Sequence, residues 1–361
     1  MAAIIAVSIF CATSLAAATI LVAARRVPLG AGLRRPPSVV TVVAARNEED
    51  HLAECLSALK LQEAEFRSLH FVIVDDHSSD STAAIAKTFA ANDKRFIVAE
   101  PPAADRGKAL AIAHGASLVD ADVIATTDAD CNPPKRWLAE IVGLLTQSGY
   151  DLVCGPTVVT GKGWNAQVQR LDWLMLFGVA GAFSAVGLPI TAMGNNMAIR
   201  RDAYEAVGGY VRFADTPTED YALFRAVNLL PARRSRLVLE PGVVNYTQPE
   251  PSLRLAFHQR KRWARGGLQA SWWVRLLYLV VWAAHLLPVL TLFSQPAAGA
   301  QLVAAIVSFD ALLLASTSFR LGEGLPWTAM PAFEVYKFVY LCTMPFALLL
   351  RPSIEWKGRS Y

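Results

Sequence analysis

No CxxC pair occurs in the sequence, and its five cysteines (Cys11, Cys55, Cys131, Cys154 and Cys342) are scattered and odd in number. That excludes a disulfide framework, supplies no zinc-ligand spacing, and fits reduced thiols in a cytoplasmic or membrane setting. Charge is scarce as well: charged residues make up 18% of the chain and the formal net charge is +4. So small a basic excess does not imply nucleic acid as a partner. Internal repeats and low-complexity segments are absent, which excludes a solenoid. Residues 1–24 carry no charged side chain ahead of or within their apolar run. A secretory signal would place positive charge before that run. What remains is apolar: hydrophobic residues reach 54% and the mean hydropathy is +0.34. That is too apolar for an ordinary soluble enzyme and too charged for a pure membrane bundle. The 361 residues leave room for one large domain or two ordinary ones.

The run 1–24 has the length of a membrane-spanning helix. Arg25, Arg26, Arg34 and Arg35 follow it, which places the next domain in the cytoplasm. Pro36 and Pro37 close a short linker. From residue 38 the composition becomes that of a soluble domain. Residues 39–44, 71–74 and 122–127 read as buried strands, with helical patterns at 48–60, 81–91 and 108–119. Strands alternating with helices predict an α/β domain with a largely parallel sheet. Ligands bind such sheets at the carboxyl ends of the strands. Three polar clusters fall there: Arg46-Asn47-Glu48, residues Asp75 to Asp80, and Asp128-Ala129-Asp130.

After Gly266-Gly267 the chain turns apolar again, with candidate spans at 272–293, 298–318 and 331–350. Trp272, Trp273 and Trp327 lie near their ends, as interface anchors do. Asp310, Glu334 and Lys337 lie inside these runs and are expected to face protein or a cavity. One leading and three trailing spans would leave the C-terminus outside, whereas Arg351, Lys357 and Arg359 favour the inside, so the trailing count is open by one. Residues 171–190 are apolar around Asp172 and read as a core helix, a span or a helix in the membrane plane, of which the last is preferred.

Asp128 and Asp130 sit where a strand runs out into a turn, so both carboxylates can reach one ligand. Two hard oxygen donors with open positions suit Mg²⁺ or Mn²⁺ shared with a substrate's phosphates. Standing alone, the pair is weak and a solvated loop is the better explanation. The stretch Asp75-Asp76-His77-Ser78-Ser79-Asp80-Ser81 offers carboxylates for a nucleoside, although a helix cap accounts for Asp80 or Ser81. Arg106-Gly107-Lys108 opens a helix and could meet a phosphate or simply start the helix. Gly194-Asn195-Asn196 is either a turn or a sugar-binding edge. Glu219 and Asp220 begin a helical pattern, where carboxylates are common for dipole reasons; the alternative is a general base. In Gln259-Arg260-Lys261-Arg262-Trp263, the residues Arg260, Lys261 and Arg265 fit a basic membrane-interface helix. Gln259 and Arg262 share one helix face beside Trp263, an arrangement able to clamp a diphosphate and a sugar ring.

Taken in order, Asp75-Asp76, Asp128-Ala129-Asp130, Thr218-Glu219-Asp220 and Gln259-x-x-Arg262-Trp263 resemble the family 2 glycosyltransferases. The likeness is to the membrane-embedded branch with cellulose, hyaluronan and chitin synthases and ceramide glucosyltransferase. It spans roughly 38–267, and His77 stands where that family usually has glycine. The resemblance implies a GT-A fold over 38–267, between an N-terminal transmembrane helix (1–24) and a C-terminal membrane region (272–350). By the same likeness Asp76, with Glu48 close by, would contact the nucleoside, and Lys108 would stand near the nucleotide. Asp130, helped by Asp128, would hold Mg²⁺ or Mn²⁺ on the diphosphate, and Asp220 would deprotonate the acceptor hydroxyl. Gln259, Arg262 and Trp263 would bind the diphosphate and the acceptor end.

The implied activity is inverting transfer from a nucleotide-sugar, a UDP-sugar first, to a lipid or glycan hydroxyl at the cytoplasmic face of the membrane. A processive polysaccharide synthase and a polyprenyl-phosphate sugar synthase are the alternatives within the enzyme class. A non-catalytic membrane transporter subunit is the alternative outside it.

Overall fold

The computed structural model describes residues 1–24, 36–104, 107–268 and 270–350, and near the C-terminus a short antiparallel pairing of Glu355–Trp356 with Arg359–Ser360. Arg25, Arg26, Arg34, Arg35, Arg106, Arg351 and Lys357, which the sequence reading used, lie outside the described residues. In chain order the elements are α1 (Ala2–Ala23), β1 (Ser38–Ala45), α2 (Leu52–Lys60), β2 (Ser68–Asp75), α3 (Thr82–Asn92), β3 (Phe96–Ala99) and α4 (Lys108–Ser117). They continue with β4 (Val123–Thr127), α5 (Trp137–Gln147), β5 (Leu152–Cys154), β6 (Thr157–Val159), α6 (Trp164–Ala185), β7 (Asn196–Arg200) and α7 (Arg201–Ala206). The rest are α8 (Glu219–Leu229), β8 (Ser235–Leu237), β9 (Asn245–Thr247), α9 (Leu253–Gly267), α10 (Trp272–Ser294), α11 (Pro296–Leu321) and α12 (Met330–Leu350). The chain divides into two compact units. One comprises Arg26–Val158 and Thr191–Gln248, the other Met1–Arg25, Val159–Ile190 and Pro249–Tyr361.

The first unit is built on a seven-stranded sheet in the order β3-β2-β1-β4-β7-β5-β8. β1, of sequence SVVTVVAA, is buried almost throughout, as a β-branched strand covered on both faces should be. Its parallel partners put Ala45 opposite Asp75 and Val42 opposite Thr126. Alternate residues serve opposite faces. Val39, Val43, Phe71 and Ile73 join Leu52, Leu56, Trp137 and Ile141 in one core. On the other face α4 lies against β1 and β2. A Cβ at Gly115 would come within 2.6 Å of Val42 Cγ1 and 2.8 Å of Val74 Cγ2, so the helix sits this close only because that residue is glycine.

The expectation of a largely parallel sheet holds, with β5 and β8 also paired in parallel, and the exception is β7. β7 runs antiparallel to both β4 and β5. Because Thr127 pairs with Asn196, the beginning of β7 lies at the same sheet edge as the ends of β1, β2 and β4. β3, β5, β7 and β8, each of three to five residues, carry too little pattern to be seen in the sequence.

In the second unit four helices among the described residues are long and apolar enough to cross a membrane: Ala2–Ala23, Trp272–Ser294, Pro296–Leu321 and Trp327–Leu350. Their 22 to 26 residues span roughly 33–39 Å as helix. They coincide with the four runs read from the sequence. The charges inside them meet one another, as expected of buried ions: Lys337 Nζ donates to Asp310 and, at 2.7 Å, to Glu334 Oε2. α6 departs from the surface helix expected at 171–190. It packs on α1, α11, α12 and α9, and Trp164 is its sole exposed residue. Small residues cause this: a Cβ at Gly178 would overlap Thr317 of α11.

Candidate active site

At the carboxyl edge of the sheet, β1 and β2 end side by side and their loops are tied together. Asn47 N–H donates to Ser78 Oγ (3.0 Å), Ser79 N–H to Asn47 Oδ1 (2.9 Å) and Glu48 N–H to Thr82 Oγ1 (2.8 Å). Asp80 accepts from Glu49 N–H at 3.1 Å and from Thr82 N–H at 3.0 Å, so it serves the start of α3, one of the two roles open to it from sequence. His77 has φ +57°, the left-handed conformation that glycine adopts without cost. The turn expected of a glycine is therefore kept, and the imidazole Nδ1 lies 3.0 Å from Glu100 Oε1.

Asp76 is buried, and its two carboxylate oxygens accept from Gly107 N–H at 3.1 and 2.9 Å. Gly107 has φ +111° and immediately precedes α4, so Asp76 fixes the turn that launches Lys108. Sequence reasoning missed this link, because nothing local connects residues 31 positions apart. Lys108 Nζ then pairs with Asp128 Oδ1 at 2.5 Å. Burial alone would lower the Lys108 ammonium; the carboxylates of Asp128, Glu219 and Asp220 outweigh it and raise it. One lysine thus feels both the strand-end carboxylate and the pair at the start of α8.

Beyond β4, Cys131 N–H and Cys55 Sγ–H donate to the Asp128 carbonyl at 3.1 and 3.4 Å. Cys131 Sγ–H points to Asp130 Oδ1 at 3.6 Å. Burial, then the charges of Asp130 and Asp128, hold both thiols well above their ordinary value. They remain protonated and offer no soft thiolate, which leaves two hard carboxylates, Asp128 and Asp130, as donors. No group of three or more His, Cys, Asp and Glu side chains able to hold a metal occurs among the described residues. The pair fits Mg²⁺ or Mn²⁺ whose other ligands come from phosphate and water; it does not fit a self-sufficient protein cage or a zinc site.

Asp220 opens α8 and is held from β7's side of the edge. Its Oδ2 accepts from Gly194 N–H at 2.8 Å and its Oδ1 from Tyr221 N–H at 2.8 Å. A Cβ at Gly194 would stand 3.0 Å from Asp220 Cβ, so the glycine makes room for the acid. Gly194 O in turn accepts from Thr126 Oγ1–H at 2.6 Å. Asn195 and Asn196 belong to the frame: Asn196 amide accepts from Trp137 Nε1–H (2.8 Å) and donates to Pro156 O and Val243 O. Asn245, which carried no sequence signal, bridges Thr127 Oγ1 and Asn195 O at 2.9 Å each. The first unit therefore gathers Asp76, Lys108, Asp128, Asp130 and Asp220 at one edge.

Gln259, Arg262 and Trp263 belong to the second unit, on α9. Gln259 Nε2–H donates to Glu250 Oε1 at 2.9 Å. Arg260 and Lys261 are 4% and 7% exposed, which corrects the picture of a basic interface helix for these two: headgroup-facing cations would keep their charges outside the protein.

Residues 40–208 match the model of the family described as Glycosyl transferase family 2. This chain carries a family 2 glycosyltransferase domain. A probable glycosyltransferase, YdaM, of Bacillus subtilis is 27% identical over 245 residues, covering 65% of this chain and 56% of that protein. A beta-monoglucosyldiacylglycerol synthase of Trichormus variabilis is 28% identical over 248 residues, covering 64% and 49%. The chain thus matches about half the length of these relatives. A mannosyltransferase of Pyrobaculum calidifontis, solved with GDP-Man and Mn²⁺, superposes with TM-score 0.57 at 18% identity over 97% of this chain and 99% of that one. The glycosyltransferase domain accordingly has a GT-A-like fold.

Proposed function

We propose that the protein is an inverting glycosyltransferase, moving a sugar from a nucleotide-sugar to a hydroxyl of a lipid or glycan. One observation carries the reading: a single lysine, Lys108, pairs with the strand-end Asp128 and lies in the field of Asp220. A diphosphate group-transfer site needs a cation, a metal-holding carboxylate and a base within reach of one another. Asp76 and Glu48 would take the nucleoside. Lys108 would exchange its half-exposed pairing with Asp128, cheap to open, for the incoming diphosphate. Asp128 and Asp130 would hold Mg²⁺ or Mn²⁺, which supplies Lewis-acid charge to the departing diphosphate. Asp220, aimed by Gly194, would take the proton from the acceptor hydroxyl as its oxygen attacks the anomeric carbon from the side opposite the leaving group. Gln259, Arg262 and Trp263 would hold the diphosphate and the acceptor end.

The catalytic portion, 38–267, works in this reading between spans at 1–24 and 272–350 and faces the cytoplasm, as the arginines after the first span favour. A lipid hydroxyl is the preferred acceptor, because a relative is named for glucosylating diacylglycerol and the apolar helices suit a lipid substrate. UDP-sugars are the preferred donors.

The test is product analysis by mass spectrometry. The purified chain in detergent is incubated with UDP-glucose, UDP-galactose or GDP-mannose, diacylglycerol and Mn²⁺ or Mg²⁺. A glycosylated lipid that disappears with EDTA is expected. Absence of both transfer and metal-dependent donor hydrolysis across the panel would refute the reading and favour a non-catalytic membrane role.

A further inference from the structure

We propose that Arg260 is a positioning residue for Gln259 and Trp263, itself held from α6 by Asp172; the proposal rests on the glycosyltransferase reading of the Gln259–Trp263 segment. Arg260 is 4% exposed. Its Nε–H donates to Asp172 Oδ2 at 2.6 Å and its Nη1–H to Gln259 Oε1 at 3.0 Å. The guanidinium carbon lies 4.1 Å from the Trp263 ring centroid and 5.3 Å from that of Trp173. The two indoles meet edge to face, 5.2 Å apart with an interplanar angle of 81°. One planar cation is thus fixed by a carboxylate and in turn fixes an amide and an indole.

Each contact sets an orientation that the chemistry uses. Gln259 Oε1 accepts from Arg260 while its Nε2 donates to Glu250 Oε1 at 2.9 Å, so the amide cannot flip without losing both bonds. Arg260 lies over Trp263 while Trp173 meets the same indole edge to face, so the ring plane is set from two sides. Lysine could not replace this arrangement. Its ammonium is a point charge, whereas the guanidinium stacks on a ring and donates in two directions at once.

A purely structural arginine would be expected to satisfy all of its donors. Arg260 Nη2 is buried with no hydrogen-bond partner among the described residues, and an orphaned buried donor costs stability. The group is retained in a geometry that serves the neighbours on α9 better than it serves itself.

The experiment measures kcat and donor KM separately, with thermal midpoints, for the full chain in detergent carrying Arg260→Lys, Asp172→Asn or both. Mispositioned binding groups should lower kcat by about 10- to 100-fold in each single variant while donor KM stays within about threefold. The double variant should be no worse than the weaker single, because the two residues act through one contact. Trp173→Phe keeps the ion pair and carries the test if the charge variants do not fold; a fall in its kcat of about threefold or more at an unchanged midpoint supports the proposal. Near-wild-type kinetics in Arg260→Lys and Trp173→Phe would overturn it. So would a loss that follows the thermal midpoint and vanishes on cooling. A wild-type chain with no transfer at all would instead remove the catalytic reading, and the proposal with it, which an active wild type beside an active Arg260→Lys would not do.

Discussion

At the sheet edge Asp76 is held by the backbone N–H of Gly107, Asp220 by those of Gly194 and Tyr221, and Asp128 by a half-exposed lysine. Among the apolar helices Asp310 and Glu334 instead share the buried Lys337. A backbone donor fixes a carboxylate while leaving lone pairs for a ligand, and a half-exposed ion pair opens at little cost. A buried pair is different, because separating it strands a desolvated charge. In the proposed site the same residue types would serve turnover, whereas among the apolar helices they are locked into one buried cluster.

The sharpest way to break this contrast is at Asp220. Asp220→Asn keeps shape and one of the two backbone hydrogen bonds yet cannot accept a proton, so transfer should fall by about 10²–10⁴-fold with donor binding retained. Glu219→Gln should do far less, since the neighbouring helix position points about 100° away. Equal turnover in wild type and Asp220→Asn at saturating acceptor would make Asp220 a helix-start carboxylate only. Next comes Lys337→Met, which leaves two buried carboxylates unpaired and should cost about 3–5 kcal/mol of stability. Replacing Asp310, Glu334 and Lys337 together by apolar residues should restore most of that loss. Unfolding in mixed micelles measures both, and a Lys337→Met chain as stable as wild type would contradict the buried triad. The smallest effect is expected at His77→Gly. Release from the left-handed conformation and the added freedom of the unfolded glycine nearly cancel, so stability should change by no more than about 1 kcal/mol. A large loss of donor affinity there would give the imidazole a role beyond its turn.

The sequence by itself determined whatever repeats locally. The four apolar runs, the strands read at 39–44, 71–74 and 122–127 and found at 38–45, 68–75 and 123–127, and the helix from Glu219 were legible because burial on both faces or along a whole helix leaves unbroken apolar stretches. Asp128 and Asp130 were legible because a strand end and a turn mark their place. Tertiary structure alone decided which distant groups meet. Asp76 reaches Gly107, Asp220 reaches Gly194, and Asp172 reaches Arg260, across 31, 26 and 88 positions. It also decided that β7 runs antiparallel and that α6 is covered on nearly every side. Such pairings leave no periodic trace, because one hydrogen bond between chain segments constrains two residues and none of their neighbours.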